Sequence, residues 1–183
     1  MAADALWYEA AQVVGITNAL NVVADAFDDA DVATGSSAAG MAGLGLSAID
    51  ETKANAEAGA VFAEIRAFYA CATVPPVFRR LAHDPGYLAD FWEAMRHAFG
   101  DNHLTRRVKT ALAFAVSLTS RSRFGTAFHL GEMRRLGVGE RGVMEVLGVT
   151  QMFSSYTKIA DTLQLESDMG TIAPVDASPA PGS

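Results

Sequence analysis

Apolar residues recur at helical spacing through nearly the whole chain, and this periodicity limits the fold more than any other feature. We find no run of alternating β-branched residues bounded by turns, which is the pattern of a half-buried strand. The sequence therefore predicts an all-α helical bundle. A first helix is expected from about Asp4 to Phe27. The apolar or small residues along one side of it are Leu6, Ala10, Val13, Val14, Thr17, Leu20 and Ala24.

Prolines, glycines and capping residues divide the rest of the chain into helices. Ser47 or Asp50 can begin a second helix, which Pro75 and Pro76 stop, and Asp84 can cap another. The predicted helices after the first are 47–72, 77–82, 87–99, 104–120, 125–137 and 140–165. The segment 111–116 is apolar nearly all round, which predicts that its helix is the buried centre of the bundle.

Three segments follow from this division. Residues 1–50 hold the first helix and a connection rich in Gly, Ser and Ala, residues 51–166 form the helical domain, and residues 167–183 form a flexible tail. The segment 17–27 also parallels 153–163, with an Ala-Asp pair in register in both. The match is either chance between two amphipathic helices or a pseudo-repeat. A pseudo-repeat would pack in a related groove of the same chain or of a neighbour.

Charge and composition exclude several classes of function. The net charge of -7 and the pI near 5.0 argue against general binding to nucleic acid or to an anionic membrane. The pairs Arg79-Arg80 and Arg106-Arg107, the latter with Lys109, could still receive a small anion or could be solvated faces and ion pairs. No secretory signal and no apolar run of roughly 20 residues is found, so we expect a cytoplasmic protein.

The only cysteine is Cys71, which excludes an intrachain disulfide and a cysteine-rich zinc site. It falls near a predicted helix C-terminus, where the helix dipole disfavours a thiolate, so we expect an inert thiol. Glu93 and His97 lie four residues apart, with His103 nearby, but this spacing is common by chance. We expect no metal and no cofactor.

From Val74 onward the sequence resembles the superfamily of alkylhydroperoxidase D and carboxymuconolactone decarboxylase. The matching stretches are 74–92, 104–117, 129–137 and the closing helix with Ala160-Asp161. The resemblance implies that 51–166 is an alkylhydroperoxidase D-like domain. It also implies a homo-oligomer, whether trimer, hexamer or dimer.

The peroxidase branch of this superfamily implies site positions that are mostly changed here. Thr110 stands where that branch has a glutamate, Ser122 at the first cysteine, Phe124 at a histidine and Gly125 at the second cysteine. Only the final histidine is kept, as His129. A two-cysteine peroxidase needs one thiolate to attack the peroxide and a second thiol to resolve the sulfenic acid. The resemblance therefore implies a degenerate active site.

Three functions stay open at this point. In the first, the protein acts on or binds a small organic molecule in a pocket lined by Thr110, Ser122, Phe124 and Gly125. His129 would then be the catalytic general acid and base, on an organic acid or lactone. In the second, His129 is a core or interface histidine and the protein is a catalytically inactive binding or assembly protein. The third is residual hydroperoxide reductase activity.

Overall fold

The structure is a computed structural model that describes residues 2–27 and 46–164, with side chains from Ala5 onward. The glycine-rich connection and the tail fall largely or wholly outside these ranges. The described residues form seven α-helices and no strand, which confirms the all-α prediction. The helices are α1 (Ala2–Ala26), α2 (Ala56–Tyr69), α3 (Pro76–Leu81), α4 (Pro85–Phe99), α5 (Arg106–Ser120), α6 (Arg123–Arg135) and α7 (Glu140–Leu163).

The predicted helix at 47–72 is wrong at its start. Asp50 caps only a single 3₁₀ turn, Glu51–Lys53, and Ala54 is extended with φ -64° and ψ 144°. The Asn55 side chain then accepts a hydrogen bond from the Ala58 N–H at 2.8 Å and begins α2. The caps at Asp50 and Asn55 therefore divide the segment that the apolar periodicity predicts as one helix into a 3₁₀ turn and α2.

Side-chain caps fix the beginnings of the three helices around the candidate site. Asp84 accepts from the Tyr87 N–H at 3.0 Å and begins α4, as predicted. Thr105 is the N-cap of α5, and Asp101, within the 100–102 segment that the sequence predicts as a cap, also accepts from the first N–H of that helix, at Arg106. Ser122 is the N-cap of α6, so that helix begins two residues earlier than predicted.

The core of the unit that runs to Thr150 is rich in aromatic rings. Phe68, Tyr69 and Phe78 each contact the Trp92 ring, with centroids 5.4, 6.1 and 6.0 Å away. The Trp92 indole N–H donates to Glu64 Oε2 at 2.9 Å, which satisfies its polar edge. These contacts join α2, α3 and α4.

Helix α1 belongs to the same core, because it packs against α4, α5 and α6. Val13, Leu20 and Ala24 are fully buried along one side, as the helical spacing predicts. The polar residues Thr17 and Asn21 are buried on that side too. The N-terminal helix therefore contributes polar groups to the interior.

Helix α5 is buried on one face only. Ala113 and Phe114 are buried, whereas Ala111, Leu112 and Ala115 are half-buried and line an apolar surface cavity of about 300 Å³. The expectation that α5 is buried all round is therefore wrong for this second face. Residues 145–150 of α7 complete the cavity.

The chain divides into one unit up to Thr150 and a second from Gln151, with the boundary inside α7. In the second unit the described residues are helical to Leu163. Its large apolar side chains are exposed: Met152, Phe153, Tyr156, Ile159 and Leu163. None of the helices in the described ranges is long and apolar enough to cross a membrane.

Candidate functional site

His129 lies on α6 and is only 1% exposed. Its ring stacks on Phe99 with centroids 5.9 Å apart and meets Phe128 edge to face at 5.2 Å. Its Nε2 is buried and has no hydrogen-bond partner among the described residues. Burial lowers the pKa of His129 to about 3. The imidazole is therefore neutral near pH 7 and can accept or donate a hydrogen bond, but it does not carry a transferable positive charge.

Two further hydroxyl groups are buried without a partner in the described part of the chain. They are the Oγ1 atoms of Thr17 on α1 and Thr110 on α5, and both residues are fully buried. A threonine hydroxyl is one donor and two acceptors, so leaving it unpaired is costly. Thr17, Thr110 and His129 thus lie on three adjoining helices, and each has a buried polar atom without a partner among the described residues.

From the register of the helices we infer that these three residues lie on neighbouring turns. Helix α1 runs parallel to α5, because Glu9 pairs with Lys109 and Asn21 pairs with Ser117. Thr17 lies one turn before Asn21 on α1. Gly125 meets Asn21, and His129 lies one turn further along α6, which runs back against α5. The arrangement defines a buried polar layer, by which we mean Thr17, Thr110 and His129.

Asn21 closes the end of this layer. Its amide donates to Ser117 Oγ at 3.2 Å and to Ser120 Oγ at 3.1 Å. A Cβ built on Gly125 would lie 2.0 Å from Asn21 Oδ1 and 2.5 Å from Ser117 Oγ. Any side chain at position 125 would force Asn21 or Ser117 to move, because both of these side chains approach the α6 backbone closely.

The other two predicted site residues hold structural positions. Ser122 Oγ donates to Asp25 Oδ1 at 3.0 Å and accepts from the Gly125 N–H at 3.1 Å, so it caps α6. Phe124 is half-buried and stacks on Phe128 at 5.3 Å. The structure thus brings Ser122 and Gly125 together at the start of α6. Their binding of a substrate stays a prediction.

The sequence interpretation missed the contribution of α1. Thr17, Asn21 and Asp25 all face the site, and they are spaced four residues apart on one side of a single helix. The helical spacing alone assigns Thr17 to the apolar side of the first helix. The signal in the sequence that could have revealed this contribution is the spacing of the three polar residues, which matches that of the buried side of the helix.

A buried ion pair fixes the other end of α1. Glu9 Oε2 lies 3.0 Å from Lys109 Nζ, and the Glu9 carboxylate also accepts from the N–H groups of His103 and Leu104. Burial by itself raises the pKa of Glu9, but the hydrogen bonds from Leu104, Lys109 and His103 outweigh it and hold the pKa at about 2. The carboxylate is therefore ionised and anchors α1 to the loop before α5.

Cys71 is half-buried just beyond the end of α2, and burial raises the pKa of its thiol. A raised pKa lowers the thiolate fraction that peroxide chemistry needs. Glu93, His97 and His103 are exposed. The described ranges contain no group of three or more His, Cys, Asp or Glu side chains placed to hold a metal.

The comparisons agree with this architecture. The family described as "Carboxymuconolactone decarboxylase family" matches residues 85–165, which run from α4 into the residues after α7. Among solved structures, the chain is similar to the alkylhydroperoxidase AhpD core from Rhodospirillum rubrum ATCC 11170. The identity is 25% and the TM-score 0.65, over 73% of this chain and 99% of that chain. A search of the curated proteins gave no match. These findings support the superfamily of alkylhydroperoxidase D and carboxymuconolactone decarboxylase, to which the chain is similar in sequence over 85–165 and in fold.

Proposed function

We propose that this protein binds a small uncharged organic molecule in the buried polar layer and does not use thiol chemistry there. The single observation that carries the proposal is the Nε2 atom of His129, which is buried and unpartnered among the described residues. A buried polar atom without a hydrogen bond costs roughly 1–3 kcal/mol. A bound molecule that hydrogen-bonds to it would recover that cost.

The chemistry of the layer indicates the kind of molecule. The partners on offer are two neutral hydroxyls, Thr17 and Thr110, and one imidazole whose pKa is lowered to about 3. An anion there would lose its hydration without gaining a charge partner. A neutral lactone, amide or alcohol with one or two polar atoms fits better than an organic acid.

The same lowered pKa favours binding over acid and base catalysis. A general acid must be protonated at the working pH, and His129 is held neutral by its burial between Phe99 and Phe128. It could accept a proton only if the site first admitted water or a charged partner. The expected role of His129 is therefore to orient the ligand by a hydrogen bond.

Two measurements test this proposal together. The first is the free energy of unfolding of the wild type and of His129→Leu, each with and without γ-butyrolactone or acetamide, with Met133→Leu, a fully buried position on the same helix, as the packing control. The second is the ¹⁵N shift of His129 Nε2 on addition of the same probes, with exposed His97 as the reference. We expect one of the probes to stabilise the wild type and Met133→Leu but not His129→Leu, and to move the Nε2 signal.

Two results would contradict the proposal. If a probe stabilises His129→Leu as much as the wild type, the imidazole takes no part in binding. If neither probe stabilises the wild type or moves the Nε2 signal, the layer does not bind a molecule of this kind. Either result leaves the second function, a catalytically inactive assembly protein, as the better one.

That second function has its own supporting observation in α7. The described residues from Gln151 onward expose five large apolar side chains, of which Phe153 is 67% exposed and Tyr156 61%. Full burial of such a side chain is worth about 1.5–3 kcal/mol. We infer that a second copy of this chain covers them in a homo-oligomer. The two functions are compatible, since the apolar side chains and the buried polar layer are different residues.

Residual peroxidase activity can be tested directly. Peroxide consumption with a dithiol reductant should be the same in the wild type and in Cys71→Ser, because the raised pKa of Cys71 disfavours its thiolate. Activity that is lost in the variant would establish a one-cysteine peroxidase instead.

A further inference from the structure

A cationic surface cavity lies where the beginning of α5 meets the end of α6. Its volume is about 600 Å³, which is within the usual range for a small-molecule site. Its lining residues are Asp101, Thr105, Arg106, Arg107, Arg135 and Leu136. We call these six residues the arginine cavity.

Charge in the arginine cavity is unbalanced. Glu132, which is buried behind it, accepts from Arg106 Nη2 at 2.6 Å and from Arg135 Nε and Nη2 at 2.7 and 2.6 Å. One carboxylate therefore serves two guanidinium groups. Asp101 accepts from the Arg106 backbone N–H at 2.5 Å and so acts as a cap for α5. The three arginines face two carboxylates, which leaves one positive charge in excess on a chain of net charge -7.

Arg107 is the side chain that supplies this excess. It is exposed, and no ion pair or hydrogen bond of its side chain is found within the described ranges. Its Nη2 lies 3.9 Å from where a Cβ on Gly137 would stand, which places the guanidinium beside the end of α6. The group thus lies at the rim of the cavity with its five N–H donors available.

The other two arginines are already positioned. The Arg106 guanidinium lies 3.5 Å from the centroid of the Phe68 ring and donates to the Phe68 carbonyl at 2.8 Å. Its Nε is buried without a partner in the described part of the chain. Arg135 is fixed by its two hydrogen bonds to Glu132. A ligand would therefore lose little of its binding energy in ordering these side chains.

We propose that the arginine cavity binds a small oxyanion, the carboxylate or phosphate group of a small molecule. Arg107 and Arg135 contact the anion, because their planar forks match the oxygens of such groups. The N-terminus of α5 at Thr105 adds a favourable field for negative charge. Arg106 is a positioning residue, held between Phe68 and Glu132.

This site is independent of the function proposed above. The buried polar layer offers neutral groups to an uncharged molecule, whereas the arginine cavity is charged and open at the surface. Lys109 is not part of the cavity, because it is buried against Glu9 and donates to the Gly100 carbonyl at 2.6 Å. Of the basic residues at 106–109, Arg106 and Arg107 therefore line the surface cavity, whereas Lys109 is buried.

The test is a titration of the full chain with inorganic phosphate and, separately, with malonate, against sodium chloride at matched ionic strength. The readout is the amide NMR signals of Thr105 and Arg107. The variants are Arg107→Gln and, as the control, Arg134→Gln, which removes an exposed arginine next to the cavity that pairs with Glu140. Both positions are exposed, so both variants should fold.

We expect saturable binding that is about tenfold weaker in Arg107→Gln and unchanged in Arg134→Gln. Binding of phosphate alone would identify a phosphate group as the ligand chemistry, and binding of malonate alone a carboxylate. Both anions binding would show a general oxyanion site. Equal weakening in the two variants, or no response beyond that of chloride, would overturn the proposal.

Discussion

The side-chain amide of Asn21 on α1 fills the space that any side chain at Gly125 on α6 would need. A Cβ at Gly125 would stand 2.0 Å from Asn21 Oδ1, far inside van der Waals contact. The N-terminal helix is therefore part of the site and not an appendage to it. Because Asn21 contacts Gly125, the residue that position 125 can hold depends on the residue at position 21, although the two are far apart in the chain.

The coupling predicts the effect of Gly125→Ala. The new methyl group must displace Asn21 and Ser117, so we expect a loss of about 1–3 kcal/mol in the free energy of unfolding. The loss should be smaller in an Asn21→Ala background, because one of the two neighbours is then gone. Urea unfolding of the four proteins in the cycle measures the coupling.

Gly131→Ala is the matched control on the same helix. Apart from its chain neighbours and the backbone of its own helix, no atom of the described residues lies within 4 Å of a Cβ at that position. Alanine there should stabilise the protein by up to about 1 kcal/mol, because it restricts the unfolded chain and favours the helix. If Gly125→Ala behaves like Gly131→Ala, the close approach of α1 does not exist in solution.

His129 predicts a loss of stability on mild acidification. Its pKa in the folded protein is lowered to about 3 by burial, against about 6.5 in the unfolded chain. Between these values the unfolded state binds the proton and the folded state does not, so stability falls as the pH falls below about 6.5. A single such group gives a slope of up to about 1.4 kcal/mol per pH unit.

Urea midpoints from pH 7.5 down to pH 5 measure this slope, with the lower limit chosen to avoid carboxylate titration. His129→Gln cannot titrate and should flatten the profile. His97→Gln, which changes an exposed histidine, should leave it unchanged. A wild-type profile that is flat across this range would mean that the imidazole is hydrated in solution.

The lowered pKa of Glu9 predicts a second loss of stability at lower pH. Its folded pKa of about 2 lies below the usual value of 4.5, because three hydrogen bonds to the carboxylate outweigh its burial. The stabilisation is present above the usual pKa and is lost as the pH falls from about 4.5 towards 2. Glu9→Gln should be less stable at pH 7 than the wild type, since Lys109 is then left buried and unpaired, and its profile should be flatter below pH 4.5.

The oligomer proposed from α7 can be tested by changing one exposed ring. Phe153→Asp places a charge where an apolar contact is expected, so it should lower the mass measured by light scattering. Ser154→Asp introduces the same charge at an exposed position beside it and should leave the mass unchanged. Equal masses for the wild type and both variants would show that Phe153 takes no part in an interface.

The helical periodicity was sufficient to predict the all-α class, and prolines, glycines and capping residues placed most helix ends. It failed where two polar caps compete, as at Asp50 and Asn55, because local hydrogen bonds decide such breaks and leave the apolar pattern intact. It also overstated the burial of α5, since an apolar face at Ala111 and Ala115 can line a surface cavity as well as a core.

The surroundings of the candidate site could be predicted only in part. The resemblance draws attention to His129 and Gly125, which the structure places on adjoining turns of α6, and their part in binding stays a prediction. It gave no information on what stands opposite them, because the partners come from α1. Long-range contacts such as Asn21 with Ser117 cannot be derived from helical spacing, which specifies the face of a helix but not its neighbour.

The packing at Gly125 also limits how this region can be redesigned. A cysteine at this position would have its Cβ 2.0 Å from Asn21 Oδ1. A cysteine pair at 122 and 125 would therefore call for a smaller side chain at 21 as well, so these positions are better changed together than one at a time.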